Sequence, residues 1–155
     1  MIVAAITRRQ VAAPATRFFK PRLHPQQVLH LHLLHELLLG DLLSGQATEH
    51  TLWEWMAMGF TWSRTAQLLG EGEPEIAEQL DLAKRLVHRL GTTGSVVLAD
   101  DELEAARRCT VVMDLLAQRT DSATATAASH WSEGCLSVLR SDVAATGRST
   151  RADDS

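Results

Sequence analysis

The feature that most constrains this chain is a helical hydrophobic period that returns in five stretches between residues 25 and 140. Each stretch is broken by glycine, proline or a capping residue. The first is expected to run from Pro25 to Leu43, with proline at the first helical position, where a missing N–H costs nothing. Leu33, Leu34, Leu37, Leu38 and Leu42 form its predicted buried stripe, and Gly45 follows its end. The second starts near Thr48 or Thr51, with Thr51 and Glu54 spaced as a capping box, and stops before Gly70. The third begins at Pro74, capped by Glu73, and is expected to end at Gly91. A loop over 91–99 carries Val96, Val97 and Leu98, too short an apolar run to make a sheet without a partner. The fourth helix runs from Asp101 to Arg119, with Asp100 or Asp101 as cap. The fifth runs from Ser122 to Arg140 and buries Ala127, Trp131, Cys135, Val138 and Leu139.

Such lengths with short connections predict an all-α fold, an antiparallel bundle of about five helices with disordered termini. The expected organisation is a flexible basic arm at 1–23, a helical domain at 24–140 and a disordered tail at 141–155. A chain of 155 residues is long enough to close one core without disulfides or metal. Two cysteines, Cys109 and Cys135, make no disulfide framework and no metal-binding CxxC pair. Both fall on apolar helix faces, which predicts inert thiols in a reducing cytoplasm. The opening MIVAAITRRQ puts apolar residues before its arginines, the reverse of a secretory signal, and no stretch approaches the length of a membrane span.

The second helix is unusually apolar. Trp55, Trp62 and Leu69 fall on one stripe, and Trp53, Met56 and Phe60 widen it past half the circumference. That breadth predicts either a central position in the bundle or a face for a protein partner or a second copy, with Trp53, Trp55 and Trp62 as binding residues. Gly59 within it predicts a close approach of another helix.

Charge is divided along the chain. Net charge is −4 with 19 acidic residues, yet none of the acids lies in the first 35 positions, where Arg8, Arg9, Arg17, Lys20 and Arg22 stand. This arm, with Phe18 and Phe19 interleaved, is a candidate for phosphate or anionic surfaces.

Four histidines, His24, His30, His32 and His35, crowd beside Glu36. His32, His35 and Glu36 share a helix face, and such spacing is able to hold a metal. However, the segment reads HELLLG, so Leu39 stands where a zinc hydrolase would place its second histidine. The reading is a solvated polar face with no metal, no cofactor and no catalytic residue, and with His30 as a boundary histidine turned toward the leucine stripe.

Residues 61–91, TWSRTAQLLGEGEPEIAEQLDLAKRLVHRLG, have the layout of a helix-turn-helix. Ala66, Leu68, Leu69 and Gly70 resemble the C-terminal DNA-binding unit of Fis-like bacterial regulators. The resemblance implies a DNA contact through this unit, with Arg64 in its first helix. In that family the turn and second helix are cationic. Here Glu71, Glu73, Glu75, Glu78 and Asp81 precede the first cation, Lys84, which opposes the electrostatics of duplex binding. More widely, QATEHTLWEWM, LLGEGEPEIAEQLDLAKRL, the TTG turn and DDELEAARRCTVVMDLLAQ resemble small helical proteins of proteobacterial phages and mobile elements, some labelled Fis-like. That likeness implies a mobile-element context and brings no catalytic residues with it. The function expected is a non-enzymatic interaction or regulatory protein. The alternative is a DNA-binding transcriptional regulator using 61–91 or the basic arm.

Overall fold

A computed structural model describes residues 21–152, with side chains described to residue 144. Five helices account for its regular structure: α1 (Pro25–Leu43), α2 (Glu49–Leu69), α3 (Glu73–Thr93), α4 (Asp100–Arg119) and α5 (Ser122–Ala152). No strand occurs among the described residues beyond one isolated antiparallel bridge between Arg22 and Asp121. The all-α expectation therefore holds.

The helix ends follow from local chemistry, though several differ from the expected ones. His24 caps α1: its Nδ1 accepts from the Gln26 N–H at 3.2 Å, while Gln27 Oε1 accepts from the His24 N–H at 2.9 Å. For α2 the box is built from Thr48 and Thr51, one turn earlier than Thr51 with Glu54, because Thr48 Oγ1 reaches the Thr51 N–H at 3.2 Å. Gly70 then ends the helix in the left-handed region at φ 72°. α3 runs past Gly91 and stops at Gly94 instead, where φ is 68°. Thr92 and Thr93 turn their hydroxyls back onto the carbonyls of His88 and Arg89 and stay in the helix. Ala99, not an aspartate, occupies the α4 cap position, and its N–H is accepted by Glu102 Oε2 at 3.0 Å. α5 continues beyond Arg140 to Ala152, so positions 141–152 of the expected tail are helical. The alanines of that stretch are good helix formers.

Cross-helix pairs give the packing directions. Glu71 with Arg119, Glu78 with Arg108 and Glu102 with Arg89 run α3 against α4 in opposite senses. Ser132 with the Ala57 carbonyl, and Arg140 over the Trp53 ring, do the same for α2 and α5. α2 packs mainly on α3 and α5 and touches α1 and α4 lightly, whereas α1 packs mainly on α4. The core is made of Leu52, Trp55, Met56, Trp62 and Ala66 of α2, Ile76, Leu82 and Leu86 of α3, and Ala106, Met113 and Leu116 of α4. Val96 and Leu98 cover one end of it, with Val97 between them facing solvent.

Gly59 marks the crossing of α2 and α3. A Cβ there would meet Gln79 Oε1 and stand 2.8 Å from both Gln79 Cδ and Leu80 Cδ2, so the close approach expected from the sequence is present.

Candidate functional site

The side chains with the most chemistry meet in the seam between α1 and α4. His35 is buried in the protein, and its ring hydrogen bonds fix its state. The indole Nε1–H of Trp62 donates to His35 Nε2 at 2.9 Å. An indole N–H only donates, so Nε2 is the accepting nitrogen and the proton sits on Nδ1. That Nδ1–H donates in turn to Asp114 Oδ1 at 2.6 Å. Burial pushes the His35 pKa below its ordinary value, against the opposing pull of the Asp114 hydrogen bond and charge. A second proton would point an Nε2–H at the Trp62 N–H, which the geometry also disfavours.

The other oxygen of Asp114 faces His32, whose Nδ1 lies 2.7 Å from Oδ2. Glu36 stands one turn further along α1, and one ligand atom each from His32, Glu36 and Asp114 lies within 4.8 Å of the others. His32 and Glu36 are exposed and Asp114 is partly covered. A recess of about 360 Å³, lined by Pro25, Val28, Leu29 and Gln118, opens onto His32 and Asp114.

These positions revise the reading of the histidines. His35 belongs to the core side of α1 and His30 to its solvent side, the reverse of their expected places. The leucine stripe is rotated in the same sense. Leu38, Leu39 and Leu42 are buried, while Leu33 and Leu37 are 59% and 63% exposed, and Leu29 is 55% exposed. On α4, Val111 and Leu115, close to Asp114 in sequence, are also exposed.

The tryptophans expected to bind a partner divide differently. Trp55 and Trp62 are fully enclosed in the core, so they are structural. Trp53 is half-buried, donates from Nε1 to Glu49 Oε1 at 3.4 Å, and carries the Arg140 guanidinium 5.7 Å from its ring centre. α5 turns Ala128 and Ser132 inward instead of Ala127, Trp131 and Val138. The small pair lets α5 approach α2 closely enough for Ser132 Oγ to donate to the Ala57 carbonyl at 2.8 Å. Trp131 then lies half-open against Phe60 at a centroid distance of 5.9 Å. Cys109 is buried, with its thiol donating to the Glu75 carbonyl, whereas Cys135 is only half-buried.

Of the candidate nucleic-acid residues, Arg8, Arg9, Arg17 and Lys20 lie outside the described residues. Arg22 is exposed, and Arg64 bonds to Gln67 on its own helix. In the 61–91 unit, α3 is packed against both α2 and α4, and Glu71 and Glu78 are paired with α4 arginines.

Asp114 is the residue that sequence reasoning missed. Its one signal is a lone carboxylate among Val111, Val112, Met113, Leu115 and Leu116 on an otherwise apolar run. No protein-family model, no curated protein and no solved structure matches this chain. No helix among the described residues is long and apolar enough to cross a membrane.

Proposed function

We propose that this chain is a non-enzymatic, cytoplasmic binding protein that acts through protein–protein contacts on the outer face of α1, and that the first occupant of that face is a second copy of the chain. The observation that carries the reading is the exposure of Leu29, Leu33 and Leu37 together. They are four residues apart and form one continuous ridge on a helix whose opposite face is already buried by Leu38, Leu39 and Leu42. A helix apolar on both sides belongs between two layers of protein, and among the described residues this one has a layer on one side only.

The ridge is suited to pairing with itself. A two-fold axis through Leu33 places Leu29 of one copy opposite Leu37 of the other, the self-complementary arrangement that a symmetric dimer requires. Its borders are Gln26, His30, His32 and Gly40, with the carboxylates Glu36 beside it and Asp41 at its end. The two-fold axis sets Glu36 opposite His30 and Asp41 opposite Pro25, so no two carboxylates face each other. Gly40 has open space at its Cα, which lets a facing helix come near at that end of the ridge.

A mobile-element context is proposed with it, supported by the resemblance of QATEHTLWEWM and DDELEAARRCTVVMDLLAQ to small helical proteins of proteobacterial phages. DNA binding through 61–91 is the weaker reading, because the carboxylates Glu71 and Glu78 already take up neighbouring arginines and α3 is packed on two sides.

Equilibrium sedimentation of the full chain tests the proposal, with Leu33→Glu/Leu37→Glu as its partner sample. Both positions are exposed, so the variant should keep its helical circular dichroism. The expected result is a dimer for the wild type and a monomer for the variant. A wild type that stays monomeric across the accessible concentration range, or a variant that dimerises equally well, overturns it.

A further inference from the structure

We propose that His32, Glu36 and Asp114 form a binding site for a divalent transition-metal ion, with zinc as the best-fitting ion. The site adjoins the leucine ridge, with Leu29 lining both, but it rests on a different observation, and neither proposal needs the other.

The donor set comes from two helices. His32 and Glu36 are one turn apart on α1, which sets an imidazole and a carboxylate side by side. Asp114 arrives from α4 on the other side of the seam. Their nearest donor atoms already fall within 4.8 Å of one another. Four-coordinate zinc with bonds of about 2.1 Å holds its donors about 3.4 Å apart. The remaining closure falls to the exposed side chain of Glu36 and to His32, also exposed, which gives up its contact with Asp114 Oδ2 to the ion.

Asp114 needs no such adjustment. The Nδ1–H of His35 holds its Oδ1, and Trp62 holds His35, so the carboxylate is fixed with Oδ2 turned toward His32. Hydrogen-bonded supports of this kind orient metal-bound carboxylates and histidines. His35 itself has no lone pair to offer: one nitrogen accepts from Trp62 and the other carries the proton given to Asp114. His35 is therefore a positioning residue and His32 the single nitrogen ligand. Metal binding replaces the 2.7 Å contact between His32 and Asp114 by a shared ion, with His32 neutral at the binding nitrogen.

One imidazole and two carboxylates favour zinc or its neighbours over magnesium and calcium, which prefer all-oxygen sites. The adjoining recess of about 360 Å³ leaves room for water to complete the coordination. The bound ion would join α1 to α4 directly and favour the folded chain by mass action.

Zinc titration of the full chain by calorimetry, alongside thermal melts with zinc and with magnesium, tests the site. His32→Ala and Glu36→Gln are the variants, both at exposed positions. The expected result is one zinc per chain, a melting temperature raised by zinc and not by magnesium, and a loss of affinity of at least about tenfold in each variant. Two outcomes overturn the proposal. One is a wild type that binds no zinc at micromolar concentration. The other is binding that survives both substitutions unchanged, which would place the ion on other histidines or on Cys135.

Discussion

Gln79 offers the sharpest test of the packing. It is fully buried on α3 where that helix crosses α2. Its Nε2 donates to the Trp55 carbonyl at 2.8 Å, while its Oε1 is buried and has no hydrogen-bond partner. Exchanging the two amide atoms does not help, because the Trp55 carbonyl only accepts. Gln79→Met keeps the length of the side chain over Gly59 and removes both polar atoms. The lost bond is worth about 0.5–1.5 kcal/mol, and the orphaned oxygen that disappears costs about 1–3 kcal/mol. The Trp55 carbonyl lies inside α2 and keeps its helical amide partner, so no new orphan is created. The balance favours the variant by about 1 kcal/mol. For a chain of this size that raises the melting temperature by about 2–4 °C. Calorimetric melts and urea titrations of wild type and Gln79→Met measure it, with Gln79→Ala as the control that should lose stability through the cavity it opens. A Gln79→Met protein less stable than the wild type by 1 kcal/mol or more would show that the carboxamide is well satisfied and that this account of the crossing is wrong.

Three further outcomes are expected. Gly59→Ala should destabilise by about 1–3 kcal/mol despite alanine's better helix propensity, because its methyl group would meet Gln79 and Leu80; urea titration reads this, and an unchanged midpoint refutes the close approach. Burial first, and the nearby Glu78 next, push the Cys109 thiol up to about 12, so native protein treated with iodoacetamide at pH 8 should carry label on half-buried Cys135 well before Cys109; equal labelling by mass spectrometry contradicts the core position. The Arg89 hydrogen bond holds the Glu102 carboxyl below the usual carboxylate range, so the folded state binds fewer protons there than the unfolded state. The resulting stability is present above the ordinary glutamate value and is lost as pH falls through the depressed one; melts from pH 7 to 3 should show a shallower acid loss for Glu102→Gln, and identical slopes would remove Glu102 from the account.

In α3 the spacing predicts Ile76, Leu80, Ala83, Val87 and Leu90 inside. Ile76 and Ala83 are buried, but the inner face turns toward Leu82 and Leu86, and Leu80, Val87 and Leu90 are only partly buried. The sequence was readable at Gly59 and Gly70, whose roles their missing side chain dictates. It was misread where leucine surrounds the helix. In α1 the spacing alone allows either Leu33 and Leu37 or Leu38, Leu39 and Leu42 to face inward, and the choice falls to the partner helix. His35 goes inside because Trp62 and Asp114 supply both its hydrogen bonds, and these lie 27 and 79 positions away. No local pattern announces such partners. α5 was misread for the opposite reason: its small residues Ala128 and Ser132 are buried because they permit close contact with α2, while the larger Trp131 is left half-open. The seam site needed the same long-range pairing, since His32 and Glu36 have no second carboxylate until α4 is in place.

The choice of α4 as the main partner of α1 also sets an order of assembly. α2, α3 and α4 meet successive neighbours across short turns, and α5 folds back on α2. α1 must wait, since its contact between His32 and Asp114 closes a separation of 82 residues. On a ribosome making about 5–20 residues each second, that is a delay of about 4–16 s. Throughout it the helix has leucines uncovered on both sides. The chain is thus most open to mispairing, and to any factor that shields nascent helices, well before its core is complete.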